Sequence, residues 1–417
     1  MAIGLWLAAP QAHAQAHLAA SPIIAAPGSN LAATLQEALA RHPQVRQRQG
    51  EREAAGFERD AAEWGRFPTA GLESEALDDG VALTARVEQP LWAGGRLSGQ
   101  IDRTAAGEQV AEAALAQAQR EVLLATGEAF FETLRLTDRL AVAQDNETEH
   151  QRLLEMIERR VAAEISPASD AVLAASRLQR ATTQRIQTQR QLAEARTALA
   201  RSLGRPLTIL TPPADIALIE QPLEALMEAA LRLSPERARL AATREQSSAD
   251  ITLARAQTLP TLALGYRQTL NDRENLRGDE GEVYLTLNVE SGAGLSSRAT
   301  VSAASARRAA TQDALDDQAR ALRQQVESLW AEIEALDTQR GPMQAIVEGS
   351  EAMVASYLRQ FRVGKKSWLD VLNAQGEKAQ AYYLKTDIEM PLLLAKFRLQ
   401  ALTGAFRPLM RSTTLNE

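Results

Sequence analysis

The sequence predicts a mostly α-helical chain made of two copies of one unit, in which a helix is followed by a pair of β-strands and then by a long helical hairpin. Three observations predict this fold class: an internal duplication, long segments without proline, and short segments in which apolar and polar residues alternate. Each copy is too long to be the unit of a solenoid, so the duplication indicates two similar half-molecules.

The duplication suggests the domain organisation. Residues 38–43 (ALARHP) return as residues 230–235 (ALRLSP), and residues 67–69 (FPT) return as residues 259–261 (LPT). We expect a first repeat at residues 15–207, a linker at 208–222, a second repeat at 223–405 and a C-terminal tail at 406–417. The expected strands are at about 68–76 and 81–91, then 260–269 and 283–290, and the expected turns between long helices are at about 161–170 and 363–370.

The first residues have the pattern of a processed segment. Residues 3–9 are a short apolar stretch, and Ala12 and Ala14 give the A-x-A pattern of a cleavage site. We expect residues 1–14 to be a signal peptide whose true start lies upstream, because the basic region that should precede it is missing. An alanine-rich disordered tail is the alternative. No other stretch approaches the roughly 18 apolar residues that a membrane-spanning helix needs.

The composition argues against several functions. The net charge is −7 with acidic and basic residues interspersed, so there is no basic surface for nucleic acid. Cysteine is absent, which excludes disulfides and thiolate chemistry. Of the four histidines, His42 and His150 are isolated, and no metal-ligand spacing, nucleophile motif or phosphate-binding loop occurs. We therefore expect neither an enzyme nor a cofactor.

Four proline-free segments predict the helical arms, because helix interiors exclude proline and turns accept it. They are bounded by Pro90 and Pro167, by Pro167 and Pro206, by Pro260 and Pro342, and by Pro342 and Pro391. A helix from about Arg96 to Arg160 would be roughly 100 Å long, which no compact domain accommodates. A soluble helical bundle explains such helices equally well, so they do not by themselves identify the function.

Alternation predicts strands with one apolar and one polar face. The apolar positions are Val81, Leu83, Ala85 and Val87 in the first copy, and Leu262, Leu264, Tyr266, Val283, Leu285, Leu287 and Val289 in the second. In a soluble protein this face would rest on the core; the alternative is lipid, because the neighbouring helices are too polar and elongated to cover it. Four strands cannot close a barrel and open edges are not viable in lipid, so the membrane interpretation requires several chains to pool their strands.

Three motifs resemble one family. Residues 89–96 read QPLWAGGR, which resembles the strand-to-helix turn of TolC-type outer-membrane efflux proteins, with Pro90, Gly94 and Gly95 at the turn. Residues 203–207 (LGRPL) resemble the end of the half-repeat in that family, and residues 361–375 (FRVGKKSWLDVLNAQ) resemble its second periplasmic turn. The resemblance covers nearly the whole mature chain, in order and twice.

The resemblance implies a homotrimer in the outer membrane of a Gram-negative bacterium. Four strands from each chain would form one twelve-stranded β-barrel, continuous with an α-helical tunnel that extends into the periplasm, and residues 208–222 would be an equatorial linker. The expected partners are outer-membrane lipid, a periplasmic adaptor (membrane fusion) protein, and an inner-membrane ABC or proton-driven transporter. The expected function is passive conduction of substrate from that transporter to the exterior.

Two sequence features resemble the type I secretion branch of the family, and this resemblance implies export of large adhesin-like proteins. Residues 289–295 (VESGAGL) stand where the family often repeats P-L-F-x-G-G, and residues 365–368 read KKSW. Small-molecule or drug efflux by a channel of the same family is the alternative. A periplasmic coiled-coil adaptor without a barrel, or a passive structural spacer, would also contain long helices.

The resemblance also implies the residues of the tunnel entrance. Asp370 and Asn373 are three residues apart on one helix face, and a three-fold axis would repeat them into a constriction that attracts cations. Asn373 replaces an acid of the family, so we expect a weaker cation-selective constriction. Ser367 followed by Asp370 is also the pattern of a helix N-cap.

Three further residues are expected to hold the closed state. Lys366 matches a basic position that bridges to the acid of the neighbouring hairpin, here Asp170. Phe361 stands where the best-known family member has a tyrosine, so we expect the bond of that hydroxyl group to be absent.

Overall fold

The computed structural model describes residues 30–77, 80–206, 210–213, 216, 221–269, 281–289 and 296–406. The predictions for residues 1–14, for the corner at 292–295, and for most of the linker and the C-terminal tail lie outside these residues.

The first copy has six elements in the predicted order. Helices α1 (Leu31–Arg41) and α2 (Pro43–Trp64) precede strands β1 (Thr69–Leu77) and β2 (Gly80–Trp92), and α3 (Arg96–Ala162) and α4 (Ala168–Leu203) form a long hairpin.

The second copy repeats the order. It contains α5 (Leu223–Leu233), α6 (Pro235–Ala256), β3 (Thr261–Thr269), β4 (Glu282–Asn288), α7 (Ser296–Arg362) and α8 (Trp368–Leu402). The predicted fold class, with duplicated helical hairpins and four strands per chain, is confirmed.

The repeated sequence at the start of each copy is a helix boundary. Nδ1 of His42 accepts a hydrogen bond from the Gln44 N–H at 3.3 Å and caps α2. Ser234 Oγ caps α6 in the same way, since it accepts from the Arg237 N–H at 3.3 Å. A proline follows each cap, at the helix position where a missing N–H costs least.

The four strands form one antiparallel sheet in the order β1-β2-β3-β4. Strands β2 and β3 join the two copies; Val87 lies opposite Tyr266, and Tyr266 lies opposite Val283 on β4. The apolar positions of the two copies therefore share one face of the sheet.

The helix boundaries predicted at Pro342 and Pro391 are wrong. Pro342 lies inside α7 and Pro391 lies inside α8. A proline inside a helix removes one backbone hydrogen bond and crowds the preceding turn. Burial of Val347 after Pro342, and of Leu392 and Ala395 after Pro391, continues the packed face beyond each proline. Tertiary packing outweighs the local preference, and both helices continue.

The buried residues follow the helices as thin seams. One seam packs α1, α3, α4 and α8 around Phe130, Phe131 and Phe397, and the rings of Phe131 and Phe397 are 5.8 Å apart. Gly127 allows this approach, because a Cβ there would lie 2.2 Å from the Phe397 ring. A second seam lies near the hairpin ends and includes Leu153 and Trp368. None of the helices described is long and apolar enough to cross a membrane.

Candidate tunnel wall and entrance

One face of the sheet is apolar and open in the single chain. Leu264 lies opposite Leu285, and Leu262 lies opposite Leu287, so apolar side chains of β3 and β4 pair with one another on this face. Leu285 is 62% exposed and Val283 is 68% exposed. An apolar surface of this kind requires an apolar environment outside the chain.

The opposite face of the sheet is polar. Arg86 on β2 donates to Oε2 of Glu73 on β1 at 2.7 Å. The Arg267 guanidinium lies 5.2 Å from the ring centre of Tyr284. That ring covers Gly265, where a Cβ would lie only 2.1 Å from Cζ of Tyr284. The two faces therefore suit two different environments, one apolar and one aqueous.

The strand-to-helix turn depends on proline and glycine. Pro90 lies in β2 at the start of a β-bulge, which is a position where a sheet tolerates a missing N–H. Gly94 and Gly95 have φ values of 58° and 90°, which side chains rarely adopt. A Cβ on Gly94 would also lie 2.6 Å from Cβ of Leu259. This turn directs the chain from the sheet straight into α3.

The two long hairpins end in equivalent turns. Glu164 after α3 and Gly364 after α7 both have a positive φ, of 57° and 75°. In each turn the next N–H donates at 2.9 Å to the carbonyl of the residue four positions before Glu164 or Gly364. This geometry is a usual end of a helix, and glycine, which the second copy has at this position, is the residue type that adopts it most easily.

Asp370 closes a capping box at the start of α8. The Ser367 N–H donates to Oδ2 of Asp370 at 3.0 Å, and the Asp370 N–H donates to Oγ of Ser367 at 3.1 Å. The hydroxyl and N–H of Ser367, with a smaller effect of the Lys366 charge, hold the pKa of Asp370 below its ordinary value. The carboxylate is thus ionised and fixed at the hairpin end, and the predicted N-cap is present.

Asn373 contacts a basic residue that the sequence pattern did not predict. Its Oδ1 accepts a hydrogen bond at 3.1 Å from Nη2 of Arg177 on α4. Arg177 lies two turns after Asp170 on the same face of α4, and that spacing was the available signal. A positive charge therefore lies beside Asn373, where the resemblance implied only acidic and neutral groups.

Within one chain, Lys366 and Asp170 make other contacts. Nζ of Lys366 lies 4.4 Å from the ring centre of Tyr357, and the Asp170 N–H donates to the Pro167 carbonyl at 3.0 Å. The contact between Lys366 and Asp170 of a neighbouring hairpin stays a prediction.

Phe361 is buried at the hairpin end. Its ring lies 5.1 Å from the ring of Trp368 on α8, and the guanidinium of Arg160 on α3 lies 4.8 Å from its centre. These contacts join three helices through apolar and cation–π interactions, which need no hydroxyl group.

The sheet has one polar and one apolar face, and its strands lead into long helical hairpins. These features define a class of protein in which each chain supplies part of a channel wall. The chain belongs to the outer membrane efflux protein family, whose family model matches residues 34–205 and 226–405. It lies in the outer membrane and extends into the periplasm. The family consists of passive channels that work with periplasmic adaptors and inner-membrane transporters. The resemblance stated above is confirmed, and the adaptor alternative is excluded.

Solved structures of outer-membrane channels have the same fold. CusC is 15% identical, with a TM-score of 0.80 over 90% of this chain and 92% of its own. VceC of Vibrio cholerae is 15% identical, with a TM-score of 0.77 over 90% and 96%. The open state of MtrE of Neisseria gonorrhoeae is 16% identical, with a TM-score of 0.75 over 90% and 88%. Identities this low show the fold alone. No curated protein sequence matches the chain.

Proposed function

We propose that three copies of this chain form the outer-membrane channel-tunnel of a tripartite export system. The repeats at residues 15–207 and 223–405 would each supply two strands per chain, which makes twelve in the trimer. The observation that supports this most directly is the open apolar face of the sheet, joined by a glycine turn to α3. A helix of 67 residues is about 100 Å long, which suits a tunnel wall that crosses much of the periplasm.

A pair of matched variants tests the lipid-facing side. Leu285 and Thr286 are neighbours on β4 and point to opposite faces. Leu285→Arg would place a charge in lipid, at a cost of up to about 2–4 kcal/mol per chain. Thr286→Arg would place the same charge in the aqueous lumen. We expect fewer heat-sensitive trimers in the outer-membrane fraction for Leu285→Arg only; equal yields would disprove this orientation of the sheet.

The proposed substrate is a large adhesin-like protein, exported by type I secretion with an ABC transporter and a periplasmic adaptor. Support comes from KKSW at residues 365–368 and from the altered turn sequence at 289–295. Small-molecule efflux is the second candidate, since the family model that matches the chain is that of outer membrane efflux proteins.

Deletion of the gene distinguishes between the two candidate classes of substrate. Type I secretion predicts the loss of one large protein from the culture medium, with unchanged drug and metal susceptibility. Increased susceptibility with an unchanged set of secreted proteins would contradict type I secretion and favour efflux. Re-expression of the intact chain is the control.

The proposed constriction is a ring of Asp370 and Asn373 from three chains. Asp370→Ala should reduce both the cation selectivity and the block by divalent cations in single-channel recordings, because carboxylates attract and hold cations. Glu58→Ala, which removes an exposed carboxylate from α2, is the control. Unchanged conductance and block in Asp370→Ala would show that no such ring exists.

The proposed closed-state contacts are those of Lys366, Asp170 and Phe361. A charge exchange, Lys366→Asp with Asp170→Lys, should restore the low conductance that either single variant loses. An exchange variant that remains as open as the single variants would rule out a pair between these residues.

A further inference from the structure

The two hairpins of one chain are joined near their ends by a direct polar contact. Arg177 belongs to α4 of the first hairpin and Asn373 to α8 of the second, and Nη2 of Arg177 donates to Oδ1 of Asn373 at 3.1 Å. Asn373 is exposed, whereas Nε of Arg177 is buried without a hydrogen-bond partner. The guanidinium that makes this contact therefore has one nitrogen bound to Asn373 and one buried nitrogen without a hydrogen-bond partner.

The charge of Arg177 acts on a buried histidine of α3. His150 on α3 is 5% exposed, and its Nδ1 has no hydrogen-bond partner. One turn before it, Asn146 accepts a hydrogen bond from Nε2 of Gln375 on α8 at 3.3 Å. The contact that joins α3 to α8 thus lies one turn from a titratable side chain, to which the proposed constriction assigns no role.

The charges on α3 and α4 act on this histidine in opposite directions. Burial lowers the pKa of His150 below its ordinary value, the Arg177 guanidinium lowers it further, and Glu149 on the same helix raises it. Glu147, nearby on α3, accepts a hydrogen bond at 2.6 Å from Nε of Arg185 on α4. The neutral imidazole is therefore the form that fits the packed helices.

The charged residues of α8 in this stretch have other contacts. The Asp370 carboxylate is bound by Ser367, and Nζ of Lys378 lies 5.9 Å from the ring centre of Tyr382. Glu377 is exposed. Gln375, the α8 residue that binds Asn146 on α3, has an amide side chain. It therefore carries no negative charge that could stabilise protonated His150.

We propose that protonation of His150 at acid pH releases Arg177 from Asn373 and loosens the two hairpins from each other at the periplasmic end. Protonated His150 would add a second positive charge to the region of the Arg177 guanidinium. Each of these side chains has a buried nitrogen without a hydrogen-bond partner, and separation of the helices would let both nitrogens reach water. The contact is fully favoured above the ordinary histidine pKa of about 6.5 and weakens as the pH falls below it. A role in opening the tunnel rests on the proposed channel function, whereas the contact itself does not.

Distance measurement between α4 and α8 tests the contact without any need for conduction. The chain has no cysteine, so Gln179→Cys on α4 and Gly376→Cys on α8 give defined spin-label sites in the full-length assembly. Gln179 is exposed, and a Cβ at Gly376 meets nothing within 4 Å. Distances would be recorded by pulsed electron resonance after freezing at about pH 7.5 and about pH 5, on either side of the ordinary histidine pKa.

We expect a shift to longer separations at the lower pH in the labelled parent chain. His150→Gln cannot titrate and should keep the short separation at both pH values; His150→Asn is a second neutral variant if the first does not fold. Arg177→Met, which has similar length and no donor, should show the long separation at both. His42→Asn, which keeps a side chain able to cap α2, is the matched control and should respond like the parent.

Two results would overturn the proposal: no pH response in the parent, or a full response in His150→Gln. Conductance of the same proteins distinguishes this failure from failure of the proposed function. A distance that responds to pH while no conductance is measurable would support the His150 contact and contradict the channel.

Discussion

Glycine in place of Glu164 should stabilise the end of the first hairpin. Glu164 has a φ of 57°, and a side chain in this left-handed region costs about 1–2 kcal/mol. The extra freedom of glycine in the unfolded chain offsets about 0.4–1 kcal/mol of the gain. The net stabilisation expected for Glu164→Gly is therefore about 1 kcal/mol, and Gly364 at the equivalent turn shows that glycine fits there.

Hydrogen exchange measures this effect locally. The Ile165 N–H donates to the Arg160 carbonyl across the turn at 2.9 Å, so its exchange requires local opening. A gain of about 1 kcal/mol should slow exchange at this turn about fivefold. Gly364→Ala should accelerate exchange at the other turn by a similar factor. Glu164→Ala keeps the Cβ and is the control; if it slows exchange as much as Glu164→Gly, the carboxylate and not the backbone is responsible.

Three further outcomes follow from contacts at the hairpin end and the strand-to-helix turn. Ser367→Ala should destabilise the start of α8 by about 1 kcal/mol through loss of the N-cap, seen as faster amide exchange there. Hydrogen bonds from Ser367 lower the pKa of Asp370. The capping box therefore stabilises α8 at pH values above the ordinary aspartate pKa of about 3.9, and this stabilisation is lost as the pH falls through the lowered pKa of Asp370. Asp370→Asn should abolish that acid sensitivity, and an identical acid profile would contradict the assignment. Gly94→Ala should lower the trimer yield, because its Cβ meets Leu259 and φ is positive, and Leu259→Ala should partly restore it.

Local sequence patterns were sufficient for the order of elements. The repeated ALARHP and ALRLSP segments mark helix boundaries because a cap and a proline act within one turn, as His42 and Ser234 show. Alternation predicted the strands for the same reason, since Leu285 and Thr286 must point to opposite faces of any sheet.

Features that depend on packing between distant segments were not predictable. Pro342 and Pro391 are local signals for helix ends, yet both lie inside helices whose buried faces continue past them. The Arg177–Asn373 hydrogen bond joins residues that are far apart in the sequence. The spacing of Asp170 and Arg177 places both on one face of α4, but it does not specify which helix will lie beside that face.

The strand order has a consequence for how the protein enters the membrane. Strands β1 and β4 are the two edges of the sheet within one chain, and each unpaired backbone group in hydrocarbon costs several kcal/mol. In the proposed trimer, a solitary chain would therefore have no stable position in lipid, and insertion would be coupled to the assembly of the three chains. One subunit with a damaged edge would then spoil every assembly that it joins, so a variant of this kind should be dominant over the normal chain when both are produced.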